Sequence, residues 1–148
     1  NEAKLTIIGL PDQPGVAATV FAALANDYIN VDMIVQSGSS VAERTDISFS
    51  LSREDLEKAV NVINKVKSSL GFKSLDSSPN VAKISVVGTA MRTQPGIAKT
   101  MFETLASKGV NLHVISTSEI KISVLIDSEY SELAVRSLHA AFGLDDEG

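Results

Sequence analysis

The 148-residue chain contains no cysteine and no tryptophan, and aromatic side chains make up only 5% of it. Without cysteine there is no disulfide framework, no thiol nucleophile and no cysteine-bound metal. The same usage suits a cytosolic protein, and a cytoplasmic location is expected. So few aromatics leave no stacking platform for RNA. Acidic residues outnumber basic ones by 18 to 13, for a net charge of −5, which removes the basic face that nucleic acid binding needs. No apolar run approaches the roughly 18 residues of a membrane helix, and no signal peptide is visible. Neither a nucleic acid nor a membrane is therefore an expected partner. The common catalytic words G-x-G-x-x-G, G-x-x-x-x-G-K-[ST] and H-E-x-x-H are also missing. The two histidines, His113 and His139, fall in different elements: His113 in an apolar run reads as a core or interface group, His139 as helix surface. Glu54 and Asp55 suit the first turn of a helix, and Asp145-Asp146-Glu147 reads as a solvated tail. No metal, no cofactor and no catalytic constellation is expected.

What is present is a repeat, the feature to seek first in any chain. Gln13-Pro14-Gly15 returns as Gln94-Pro95-Gly96, and the same alignment places Asn30-Val31-Asp32 on Asn111-Leu112-His113. Phe21 then falls on Phe102 and Leu24 on Leu105. The copies divide the chain into units 1–78 and 79–148. Units of about 70 residues bury modest cores, so pairing with each other or with a second chain is expected. The chain begins at Asn1, part-way into an ordered pattern, as a piece of a longer protein would.

Each copy opens with an apolar run, Lys4–Gly9 or Ala82–Gly88, that reads as a strand. A proline-glycine turn comes next, then an apolar-faced helix with Val16, Val20 and Leu24, or Ile97, Met101, Phe102 and Leu105. Val31–Gln36 and Thr45–Leu51 alternate as strands, with Ile47, Phe49 and Leu51 inward and Ser37–Ser40 as a loop. Ser52 with Asp55 resembles a capping box ahead of a helix through Leu56, Ala59, Val60, Ile63, Val66 and Leu70 that stops at Gly71. Phe72–Asp76 is a short strand and Ser77–Asn80 a linker. In the second copy the spacing predicts strands over Val110–Thr117 and Glu119–Ile126, the latter inward through Ile120, Ile122, Val124 and Ile126. A last helix, capped by Asp127 or Ser128, carries Leu133, Val135, Leu138 and Phe142. The fold class is α+β: two ferredoxin-like βαββαβ units, with helices on one face of antiparallel sheets. The second unit lacks a final strand, an edge that Phe72–Asp76 or a strand beyond Gly148 would fill.

The turn before each first helix is where chemistry is available. A helix N-terminus offers unpaired backbone N–H groups and partial positive charge, and a carboxylate suits it. Gly15 and Gly96 present no side chain to an approaching ligand. For an ammonium group Asp12, Asp32 and Glu119 are at hand, and Asn30, Gln36, Asn111 and Ser118 could read a side-chain hydroxyl or amine. A proline-glycine pair before a helix is also ordinary turn chemistry, and Asn30 and Asn111 could simply end helices.

A strand ending at glycine, a D-x-P-G-like turn, an apolar helix and then Asn-[Val/Leu]-x-[Met/Val]-Ile together resemble the ACT domain, a small-molecule sensor usually specific for amino acids. The words Val31-Asp32-Met33-Ile34-Val35-Gln36, Arg44-Thr45-Asp46-Ile47-Ser48-Phe49 and Val114-Ile115-Ser116-Thr117-Ser118-Glu119-Ile120-Lys121-Ile122-Ser123-Val124 are similar to the tandem ACT region of aspartate kinases. The resemblance spans the chain. The Lys-Phe-Gly-Gly word of the catalytic half is absent, so the likeness is to the regulatory region or to a separate regulatory subunit. It implies feedback control by threonine and/or lysine and a homodimer that holds the sites, acting on an aspartate kinase catalytic domain or subunit. Carried across, one wall of the site is Asp12, Gln13, Pro14, Gly15, Val16 and Ala17 with Asn30, Val31, Asp32 and Gln36. The other is Ile97, Ala98, Asn111, Leu112, Ser118 and Glu119. In the second copy Met91-Arg92-Thr93 replaces the acidic turn, which makes the two kinds of site unequal. Loop Ser37–Arg44, absent from the second copy, is the local element expected to respond to ligand.

Two other classes remain for comparison. A pure assembly module would dimerise or hold a kinase without binding any ligand. A small acyl phosphate hydrolase on this fold would want an arginine cradle in a turn, and Arg92 alone is a thin one. Fold by itself does not decide.

Overall fold

A computed structural model of the chain describes residues 1–88 and 94–143. It divides into two compact units, Asn1–Asn80 and Val81–Gly148.

Unit one runs β1 (Glu2–Pro11), α1 (Val16–Asn26), β2 (Val31–Gly38), β3 (Arg44–Ser52), a short 3₁₀ turn (Arg53–Asp55), α2 (Leu56–Lys65), α3 (Lys67–Leu70) and the start of β4 (Ser74–Val87). Its strands stand in the order β2-β3-β1-β4, with β1 and β2 both antiparallel to β3. This is the split βαβ arrangement. Alternation along the strands sends Ala3, Leu5 and Ile7 of β1 and Ile47, Phe49 and Leu51 of β3 to one face. Val20 and Leu24 of α1 and Ala59, Val62 and Ile63 of α2 close over that face as one core. Phe21 and Phe49 meet edge to face with ring centroids 5.8 Å apart. On the other face Thr6 and Ser48, directly opposite in register, share a hydrogen bond of 2.8 Å.

Two strands depart from regular pairing. The register of β1 against β3 slips between Ile7 and Leu10, where Gly9 takes φ +75°. The Gly9 N–H donates to Asp46 Oδ1 at 2.9 Å, and the Arg44 guanidinium donates to the carbonyls of Gly9 (3.5 Å) and Gly71 (3.2 Å). The register of β2 slips between Asp32 and Val35, with Met33 at φ +46° and its N–H held by Asp32 Oδ1 at 2.8 Å. Such bulges bend a strand and re-aim the segment beyond them. Beyond the β1 bulge that segment is the Pro11–Gly15 turn.

Unit two continues from β4 through α4 (Gln94–Ser107), β5 (Val114–Thr117), β6 (Lys121–Asp127), a 3₁₀ turn (Ser128–Tyr130) and α5 (Ser131–Ala141), with strand order β4-β6-β5. Ile84, Ile122, Val124 and Ile126 meet Ile97, Met101 and Leu105 of α4 and Ala134 and Leu138 of α5 in a second core. Here Ser85 and Ser123 form the counterpart of the Thr6–Ser48 pair, at 2.7 Å.

Several expectations are corrected. Ser77–Asn80 is not a linker but the middle of β4, a strand of 14 residues. Residues 74–76 lie in that strand, and β4 stands beside β1. Among the described residues unit two has no fourth strand of its own after α5. The strand expected over Val110–Thr117 starts only at Val114: the Val110 N–H bonds back to Leu105 O, closing α4, and holds the chain out of the sheet. Ser118–Ile120 is the β5–β6 turn, with the Ser118 N–H on Lys121 O at 2.8 Å, so Ile120 is 62% exposed rather than inward. In β6 the five residues Ile122–Ile126 are buried without alternation, a strand covered on both faces. Val135 is outward, and Ala134 and Leu138 carry the core face of α5. Ser52 and Asp127 occupy the N-cap positions of the two 3₁₀ turns, but neither caps with its side chain. His113 is an exposed residue, not a core one.

Candidate functional site

The first turn of α1 is uncapped. Gly15 sits at the N-cap with φ +90°, a left-handed conformation that glycine adopts without strain, and it has no side chain to satisfy the helix's first donors. The Val16 N–H makes a long 3.4 Å bond to Gln13 O, and the Thr19 hydroxyl turns back to Gly15 O at 3.0 Å. Nothing lies within 4 Å of where a Gly15 Cβ would be. A helix start of this kind leaves first-turn N–H groups without intrahelical acceptors and places the positive end of the helix at the turn.

That space is a pocket of about 190 Å³ whose rim is the turn itself, Pro11 to Ala17, closed by Gln36 of β2 and Thr45 and Ile47 of β3. Register explains the grouping, because Gln36 stands opposite Ile47 and Gly38 opposite Thr45. The polar wall is connected. Gln36 Nε2 donates to Thr45 Oγ1 at 3.2 Å, and the Thr45 hydroxyl donates to Ser37 O at 2.8 Å. Thr45 is 5% exposed, one of few buried polar residues in the unit. The arrangement offers N–H donors at one end, the exposed Asp12 carboxylate on the rim and an amide on the far wall. It can hold a small molecule that carries a carboxylate together with a donor group.

Of the unit-one residues singled out from the sequence, Asp12, Gln13, Pro14, Gly15, Val16, Ala17 and Gln36 come together in this pocket. Asn30, Val31 and Asp32 do not line it. Asn30 is exposed in the turn before β2, Val31 packs against the core, and Asp32 holds the β2 bulge. Thr45 and Ile47 also belong to the pocket, although the sequence marks them only as strand residues. In unit two Ile97 is buried in the core, and a Cβ on Gly88 would come 2.5 Å from its Cδ1, so the end of β4 and the start of α4 pack closely. Ala98 and Leu112 pack against the same core, while Asn111, Ser118 and Glu119 are exposed. The Met91–Thr93 turn lies outside the described residues. His113, expected to be a core or interface group, reaches Asp127 with Nε2 2.7 Å from Oδ1, and its backbone N–H bonds Leu125 O. No group of three or more metal-binding side chains occurs among the described residues.

Residues 5–66 and 84–142 match the ACT domain family, one copy in each unit. The chain is 45% identical to an aspartokinase of Mycolicibacterium smegmatis over 99% of its own length and 36% of that protein's. An aspartate kinase of Pseudomonas putida gives 45% identity over 98% of this chain and 35% of the relative. Among solved structures, one of aspartokinase alpha and beta subunits superposes with a TM-score of 0.87 at 45% identity, covering 97% of this chain and 93% of that one. The regulatory subunit of aspartate kinase from Thermus thermophilus, ligand free, gives 0.85 at 39%, covering 96% and 93%. This chain belongs to the ACT regulatory regions of aspartate kinases. It spans about a third of the length of these two curated relatives, and nearly all of the regulatory-subunit chain. In this ACT pair the pocket of the first copy is built wholly from its own β1–α1 turn and the β2–β3 edge.

Proposed function

We propose that the chain is the amino-acid-sensing module of an aspartate kinase, taking threonine and/or lysine as feedback effector. The observation that carries this reading is the α1 pocket: uncapped helix donors, Asp12 and a fixed amide converge on a space of amino-acid size. The effector carboxylate meets the first-turn N–H groups of α1, and its donor groups meet Asp12 and Gln36. By family resemblance the site is completed in a homodimer, with Ile97, Ala98, Asn111, Leu112, Ser118 and Glu119 of a second copy as the other wall. Asn30, Val31 and Asp32 then act from the side, with Asp32 shaping β2. A ligand shifts the dimer's equilibrium only through its differential affinity for two arrangements, and an aspartate kinase catalytic domain or subunit in the cytoplasm responds to that shift.

Calorimetric titration with threonine and then lysine, with sedimentation alongside, tests the proposal. Saturable binding that tightens the dimer and is lost in Gln36→Ala, with far-UV circular dichroism unchanged, supports it. A folded dimer whose melting temperature no amino acid moves is instead an assembly module.

A further inference from the structure

We propose that Thr45 sets the chemical class of ligand the α1 pocket accepts, by locking the Gln36 side-chain amide with its oxygen turned to the ligand. This rests on the reading of that pocket as an amino-acid site. A threonine hydroxyl has one proton and two lone pairs. The proton of Thr45 is committed to the Ser37 carbonyl at 2.8 Å, which can only accept. Towards Gln36, 3.2 Å away, Thr45 therefore has lone pairs alone, and its neighbour must be the donor Nε2 rather than Oε1. Burial of Thr45 (5% exposed) leaves the hydroxyl no solvent alternative. The backbone makes the lock rigid, because Ser37 lies in β2 and Thr45 in β3, paired across the same edge.

The consequence is selectivity. With one of its two Nε2 protons held by Thr45, Gln36 has its carbonyl oxygen fixed as an acceptor and a single N–H left to donate. At that fixed oxygen the far wall favours a ligand N–H or O–H donor over a second carboxylate, whose lone pairs would face it. The ligand class is a small monocarboxylate bearing an ammonium or hydroxyl, and a dicarboxylate without a donor is turned away. The second copy has no such device. By the repeat and the strand registers, Thr117 stands where Gln36 does, and the exposed Ile120 where Thr45 does. Selection by a locked amide is thus confined to unit one.

The test uses the full chain, Thr45→Val and Thr45→Ser, titrated with threonine and with succinate, a donor-free dicarboxylate. Valine keeps the shape and frees the amide to turn; serine keeps the hydroxyl. Threonine affinity is expected to fall about tenfold in Thr45→Val, with the preference over succinate narrowing, and to stay within about twofold of wild type in Thr45→Ser. In ligand-free protein, the Gln36 side-chain amide should show one slowly exchanging proton in wild type and Thr45→Ser but not in Thr45→Val. Wild-type binding of threonine with an unchanged preference in a folded Thr45→Val, or a Gln36 amide that exchanges freely in wild type, overturns the role of Thr45 while the pocket reading stands. Failure of wild type to bind threonine or lysine overturns the pocket reading itself.

Discussion

The β1 bulge aims the turn that forms the pocket, and Gly9→Ala is the perturbation that weighs it. At φ +75° an alanine pays about 1–2 kcal/mol for the left-handed backbone, less roughly 0.4–1 kcal/mol for a stiffer unfolded chain. The new Cβ would also come 3.0 Å from Lys73 Cβ and 3.4 Å from Lys73 N. Lys73 cannot retreat freely, since its N–H is bonded to Ile8 O at 2.8 Å, so a crowding cost of about 1–3 kcal/mol is added. Gly15→Ala supplies the control. Its φ is +90° and nothing lies within 4 Å of the added Cβ, so the backbone cost applies without the clash. The expected losses are about 3 kcal/mol for Gly9→Ala and about 1 kcal/mol for Gly15→Ala. Urea unfolding followed by far-UV circular dichroism reads both, and the gap of about 2 kcal/mol is worth ~8–16 °C in melting temperature for a unit this size. Equal losses in the two variants would refute the claim that close approach of Lys73, rather than backbone conformation, holds residue 9 as glycine.

Asp32→Ala should lower stability by about 1 kcal/mol through loss of the bond to the Met33 N–H, while Asp32→Asn, which keeps an acceptor, should lose less; equal losses in urea titration would point to charge instead. Leu105→Ala, at a fully buried site in the second core, should cost about 2–5 kcal/mol in the same measurement. Ser50→Ala is expected to be neutral or stabilising, because Ser50 Oγ is buried with no hydrogen-bond partner among the described residues; a loss above ~1 kcal/mol would reveal a partner. A double-mutant cycle on His113→Ala and Asp127→Asn should give a coupling under ~1 kcal/mol, since both side chains are partly exposed.

The architecture was legible because both periodicities are written plainly. The four-residue spacing of Val16, Val20 and Leu24 and the alternation of Ile47, Phe49 and Leu51 point to one core, and those residues share it. The pocket turn was legible from its proline-glycine pair and its recurrence. What could not be read depends on partners far away in sequence. Thr45 looks like any strand threonine until register sets it beside Gln36. Ser77–Asn80 has a linker's composition, yet continues a strand, because propensity yields to pairing. Ile120 fits an inward alternation that the turn Ser118–Lys121 breaks. The bulges at Gly9 and Met33 have no signature beyond one glycine and one aspartate.

The two copies show how a shared scaffold permits unequal sites. Structural pairs recur at matching positions: Ile7 opposite Ile47 and Val86 opposite Ile122, the hydroxyl pair Thr6–Ser48 and the pair Ser85–Ser123. At positions bearing on chemistry the copies part. The Gly9 N–H bonds the Asp46 carboxylate, whereas the Gly88 N–H bonds the backbone of Ile120. Asp32 folds back on the next amide, whereas His113, its counterpart, reaches out to Asp127. Gln36 and Thr45 give way to Thr117 and Ile120. In the second copy a backbone contact, a surface pair and the apolar Ile120 stand where the first has the Gly9–Asp46 bond, the Asp32 turn-back and Thr45. The hydrogen bond between the Gln36 and Thr45 side chains that walls the pocket therefore has no counterpart at Thr117 and Ile120.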